Sequence, residues 1–343
     1  MTQPLITDDE RAPNEHPVAV VGRQYLHVET QTGSGTVPVF ANGDWLVSAR
    51  DVKRAVILIH GRLRNADAYF DLAERACALA GGDTADTLLT DTLLIVPQFL
   101  ASADVDAHGL PPSALHWEWT SWMGGGNAEG PAPISSFDVL DTILRTLASR
   151  EQFASLTEVV IAGHSGGGQV VQRYAVVTRG EAPLVARGIA LRYVVANPSS
   201  YVYFDAMRPS VSGEFAVFDA TTCPSFNRWK YGLEDLPAYA SSYSGDPDSA
   251  GALESLYARR DVTVLLGGAD CDPQHPALDR SCAAQAQGAH RLARGLTYAR
   301  YMALRHPESA AKHRTFVIDG IGHDAKGIFA SPPGLAALFG VAS

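Results

Sequence analysis

Gly163-His164-Ser165-Gly166-Gly167 constrains this chain more than any other stretch. It follows Thr157-Glu158-Val159-Val160-Ile161, which reads as a buried strand, and precedes residues 168–177, whose apolar face predicts a helix. A strand that turns into a helix within one residue forces backbone angles on the serine that leave room only for glycine on either side. The same corner lifts the serine hydroxyl clear of the sheet. It also turns the first N–H groups of the helix toward any oxyanion formed there.

From residue 55 onward, strands and helices alternate. Ala55-Val56-Ile57-Leu58-Ile59 is a continuous apolar run, the pattern of a strand covered on both faces. Helices are predicted over 65–80 and over 137–148, the latter with Ser135 or Ser136 as its N-cap. Further strands are predicted over 93–96, 191–196, 262–266 and 315–318. The alternation predicts a mostly parallel α/β sheet with helices on both faces and its chemistry beyond the carboxyl ends of the strands. Ahead of it, 18–21, 24–28 and 37–40 read as strands of a meander, and residues 1–16 as a flexible N-terminus to a single domain spanning 17–343.

Two stretches break the rhythm. Residues 101–134 carry Trp117, Trp119 and Trp122, and residues 199–258 carry Tyr201 and Tyr203 among other aromatics. Long excursions at the active end of such a sheet are usually lids or pocket walls, so these five side chains are candidate pocket residues suited to apolar or aromatic groups.

A serine hydroxyl is a poor nucleophile until a base takes its proton. On a sheet of this kind the order along the chain is serine, then acid, then histidine. Asp270 follows the strand over 262–266 through Gly267-Gly268-Ala269, and His323 follows the strand over 315–318 through Asp319-Gly320-Ile321-Gly322. Asp272 and Asp205 are rivals for the acid; Asp319 and Asp324 stand too near the base to reach its far nitrogen. The oxyanion needs two backbone donors: Gly166, and Arg62 in His60-Gly61-Arg62, with Leu63 as second choice. His60 reads as a residue that holds this loop, and His164 as part of the pocket floor. Arg62 and Arg64 would favour a carboxylate-bearing substrate if they faced the site, and are solvated surface cations otherwise.

The formal charge of −10 argues against nucleic acid as a partner, because neutralising phosphates needs clustered Lys and Arg. No apolar run is long enough to span a membrane, and the first ten residues lack the basic start and apolar stretch of a secretory signal, so a cytoplasmic protein is expected. No phosphate loop, metal cluster or dinucleotide fingerprint is present, so no cofactor and no metal are expected. Of the four cysteines, Cys271 and Cys282 flank a short loop and are the pair that could bridge; otherwise all four read as unpaired core thiols.

Taken together, His60-Gly61, the Gly163–Gly167 corner, Gly267-Gly268-Ala269-Asp270 and Gly322-His323-Asp324 resemble the α/β-hydrolase superfamily across about residues 55–330. The resemblance implies an eight-stranded, mostly parallel sheet with a cap inserted after the sixth strand, about 199–258. It also implies a serine hydrolase acting on a small-molecule carboxylic ester through Ser165, His323 and Asp270. Amide, peptide or lactone cleavage and acyl transfer use the same three residues. A hydrolase-like receptor without catalysis is the alternative outside enzymes.

Overall fold

The computed structural model describes residues 12–47, 49–243 and 248–341. Its centre is one eight-stranded sheet: β1 (Gln24–Thr30), β2 (Gly33–Ala41), β3 (Arg54–Ile59), β4 (Thr92–Pro97), β5 (Glu158–His164), β6 (Ala190–Ala196), β7 (Asp261–Gly267) and β8 (His313–Ile318). The spatial order is β1-β2-β4-β3-β5-β6-β7-β8. β1 pairs antiparallel with β2, and β2 with β4; every later pairing is parallel.

The apolar run in β3 is completely buried because both faces of the sheet are covered. One face carries α1 (Ala66–Gly81), and also the C-terminal helices α5 (Ala325–Ala330) and α6 (Pro332–Phe339). The other carries α2 (Ser136–Leu147) and α3 (Gly166–Val177). Ser135 caps α2: its hydroxyl accepts from Phe137 N–H, and Asp138 reaches back to Ser135 N–H. A further helix, α4 (Arg291–Arg305), lies between β7 and β8 along the chain.

The sheet puts β3 and β5 side by side in register, Ile59 opposite Gly163, so the loop after β3 and the corner after β5 leave the sheet at the same level. Ser165, Asp270 and His323 meet at this end. Among the described residues no helix is long and apolar enough to cross a membrane.

Four expectations need correction. The stretch 18–21 is no strand: Val18 N–H bonds the Asp104 carboxylate, and Val20 O accepts from Gln98. Part of the expected flexible N-terminus, 1–11, lies outside the described residues, but 12–16 is tied down. Arg64 donates from Nη1 to Asn14 O at 2.5 Å and from Nη2 to His16 O at 2.9 Å. The disulfide joins Cys223 to Cys282, Cα to Cα 5.8 Å, while Cys271 is exposed and free. Proximity in sequence was the wrong guide, because the segment around 223 folds back against 283 in a small apolar cluster with Phe226. Finally, the described part of 199–258 packs beside the sheet against α3 and α4, with Tyr201 stacked on Tyr298 and Tyr203 tilted against Tyr301, and contributes nothing to the wall around Ser165.

Candidate active site

Ser165 stands at φ +58° and ψ −117°, a conformation that L-residues rarely adopt. Its neighbours explain why the corner can be so tight. A Cβ on Gly163 would lie 2.4 Å from the Gly167 carbonyl, and one on Gly167 would lie 2.1 Å from Ile59 O, so neither position admits a side chain. Ser165 N–H is held by Ala196 O at 2.9 Å, which fixes the corner to the end of β6.

The side chains of Ser165, His323 and Asp270 form one hydrogen-bonded line. Ser165 Oγ lies 2.9 Å from His323 Nε2, and His323 Nδ1 lies 2.8 Å from Asp270 Oδ2. Ionised, the carboxylate can only accept, so Nδ1 carries the proton and Nε2 presents its lone pair to the hydroxyl. Burial is the largest influence on the imidazole and holds its pKa below the ordinary histidine range; the Asp270 bond opposes this, and Arg291 and His275 add to it. Burial alone would raise the Asp270 carboxyl, but the His323 bond and the Arg291 charge overcome it and hold the pKa below the usual value. At neutral pH the pair is therefore imidazole and carboxylate, not imidazolium and acid.

The rivals for the acid are engaged elsewhere. Asp205 accepts from Tyr301 and pairs with Arg305, Asp272 accepts from Gln274 N–H, and Asp324 caps α5 through Lys326 and Gly327 N–H.

The loop after β3 comes close to the corner. A Cβ added at Gly166 would stand 3.1 Å from Arg62 N, so the two backbones approach closely at this point. His60 braces this loop. Its Nε2 accepts from Phe99 N–H at 3.0 Å, so Nδ1 carries the proton and donates to Gly61 O at 2.9 Å. Full burial pushes its pKa down to about 4, consistent with a neutral strut. Arg64, at φ +59°, is fully buried in a two-pronged ion pair with Asp104, at 2.8 and 3.1 Å, and its guanidinium lies 4.8 Å from the Trp119 ring centroid. It is neither a surface cation nor a substrate contact. It locks the loop to the N-terminal segment.

Ser165 and His323 open onto a cleft of about 1270 Å³. Its walls are α1, through Ala68, Leu72, Ala76 and Leu79, the loop His275-Pro276-Ala277, and the start of α5. His164 does border it: its ring lies 4.6 Å from that of His323, its Nε2 is 3.3 Å from Asn197 Nδ2, and burial lowers its pKa well below the ordinary value. The five aromatic candidates do not. Trp117, Trp122, Tyr201 and Tyr203 are fully buried core residues, and Trp119 lies on Arg64. Large flat rings gain most from full burial, and the excursions supply it by folding onto the sheet layer instead of over the cleft.

Three residues here escaped sequence reasoning. Asn197 ties the end of β6 to β7, accepting from Gly267 N–H at 2.8 Å. Arg291, at the start of α4, is completely buried; its Nη1 is 3.3 Å from Asp270 Oδ1 and its Nη2 is 2.6 Å from Ala277 O. His275 lies with its ring 5.1 Å from that of His323. The only signal for Arg291 would have been its position on the apolar stripe of α4, and a lone arginine there reads as an exposed charge.

No protein-family model matches the chain, and no curated protein does. Solved structures do. A poly(aspartic acid) hydrolase-1 of Sphingomonas sp. KT-1 aligns over 91% of this chain and 96% of its own, with TM-score 0.56 and 23% identity. LpqC, a poly(3-hydroxybutyrate) depolymerase of Bordetella parapertussis, aligns over 97% of both chains with TM-score 0.59 and 19% identity. Strand order, corner and these likenesses agree: the chain has the α/β-hydrolase fold.

Proposed function

We propose that this protein is a serine hydrolase that cleaves a carboxylic ester through a covalent acyl-enzyme. The unbroken line Ser165 Oγ, His323, Asp270 carries this reading. His323 Nε2 takes the Ser165 proton as Oγ bonds to the ester carbonyl carbon, and the Gly166 and Arg62 N–H groups receive the negative oxygen. The C–O bond to the alcohol then breaks, and His323 returns its proton to the leaving oxygen. In the second half water gives its proton to His323 and attacks the acyl carbon; Oγ leaves, recovers the proton, and the acid is released. Asp270 holds the imidazole in the tautomer this requires and stabilises the imidazolium.

One structural neighbour is named as a hydrolase and the other as a depolymerase, in keeping with this reading, but at 23% and 19% identity their named polymers assign no substrate to this chain. The Cys223–Cys282 bridge favours an oxidising compartment over the cytoplasmic one expected from the N-terminus.

Ser165→Ala should lower p-nitrophenyl ester turnover by about four orders of magnitude or more while leaving the unfolding transition in place. A fluorophosphonate should label the wild-type protein at Ser165 only. Near-normal turnover in the variant, or labelling that survives the substitution, would refute the assignment.

A further inference from the structure

The buried arginines of this protein all have acceptors: Arg64 meets Asp104, Arg291 meets Asp270 and Arg260 meets Glu181, while Arg173, Arg208 and Arg294 donate to backbone carbonyls and neutral side chains. Arg62 is different. It lines the cleft beside Ser165, its Nε is shielded from solvent with no acceptor, and no carboxylate among the described residues forms an ion pair with it. The Arg291 guanidinium and the His275 imidazole both feel its charge, which works against a proton on either.

A half-buried guanidinium that faces another cation and leaves a donor unmet is unfavourable in the free protein. Departures of this kind from local pairing are tolerated where a ligand completes them. His275 adds to the case. Ala277 N–H donates to its Nδ1 at 3.1 Å, so the proton sits on Nε2, which has no acceptor among the described residues. Burial, then the Arg291 and Arg62 charges, hold this imidazole below its ordinary pKa against the pull of Asp270 and Asp272, so it serves as a neutral donor.

The cleft also has acidic members, which stand away from this need. Asp324 is occupied as the cap of α5, and Asp71 is exposed on α1 one turn from Arg75. With Arg75 and Lys326 also on the rim, the cleft walls carry three cations against two carboxylates, in a chain whose net charge is −10.

We infer that the substrate of this cleft is an ester bearing a free carboxylate, held by the Arg62 guanidinium with His275 Nε2–H as a second donor. The inference rests on the serine-hydrolase reading and narrows its substrate class. A planar two-pronged cation matches a carboxylate, and a neutral ester would leave Arg62 unmet in the complex as it is in the free protein.

The test compares two esters of similar length, mono-p-nitrophenyl succinate and p-nitrophenyl valerate, on the full-length protein. Wild type should favour the succinate in kcat/KM, the preference should shrink as salt is added, and free succinate should inhibit competitively. Arg62→Gln should reduce the succinate-to-valerate ratio by about 10- to 100-fold, and Arg62→Lys should retain part of it along with the salt dependence. A wild-type preference for valerate without inhibition by succinate overturns the inference, and needs no variant to fold. So does a ratio that Arg62→Gln leaves within twofold. Fluorophosphonate labelling separates the two levels: labelling with no anionic preference removes only the carboxylate, whereas no labelling and no cleavage of either ester removes the hydrolase reading itself.

Discussion

The cleft wall and the two aromatic excursions are built from opposite kinds of side chain. Along α1 the cleft is faced by Ala68, Leu72, Ala76 and Leu79, with Tyr69 as the one large ring on this helix, and beyond them by Pro276 and Ala277. The excursions carry the large rings, and Trp117, Trp122, Tyr201 and Tyr203 are shut away from solvent. Trp122 stacks on Phe99 at 5.3 Å and packs edge-on against His60 at 4.7 Å, so it supports the loop after β3 from behind. In a domain this large, aromatic richness between elements marked extra core instead of a binding surface. The open site is the region where the chain withheld bulk.

If that contrast is right, truncating an aromatic should damage stability and leave the chemistry of the folded fraction alone. Trp117→Ala should destabilise by about 3–5 kcal/mol, read from the denaturant midpoint at constant slope, with KM for a neutral ester unchanged. A raised KM with unchanged stability would return Trp117 to the pocket wall. The excursion after β6 can be tested at its staple. Replacing Cys223 and Cys282 together by serine should cost about 2–4 kcal/mol, whereas Cys271→Ser should change nothing measurable. A destabilisation in Cys271→Ser, with none in Cys223→Ser alone, would restore the pairing expected from sequence.

The smallest effect is the one that probes the cleft side most sharply. His323 faces Asp270, Arg291, His275 and His164, and among these the Arg291 charge works to lower its pKa. In Arg291→Gln that contribution is lost, so the imidazole should hold its proton to higher pH. The acid limb of the kcat/KM profile, where activity is lost as His323 protonates, should then move upward. A limb that stays in place or moves down would show Arg291 to be only a packing residue.

Much of the site was legible from residue order alone. The corner at Ser165 is written into Gly163 and Gly167, because backbone sterics there depend only on the absence of a Cβ. Asp270 and His323 were legible as polar residues just past apolar strands, since a parallel sheet brings the ends of all its strands to one edge. Arg291, Asn197 and His275 were not, because each acts on a strand or loop distant in sequence, and no local pattern encodes a long-range hydrogen bond. The loop arginines show the boundary most sharply. Arg62 and Arg64 are two positions apart and chemically identical, yet one is sealed against Asp104 and the other faces the cleft.

What the sequence determined by itself was the alternation of elements and the local strain at the serine, both consequences of side-chain periodicity and steric bulk within a few residues. Which charges are paired, which cysteines meet and which rings reach solvent was decided only when the segments packed. Those outcomes depend on distances between residues that the chain order leaves open.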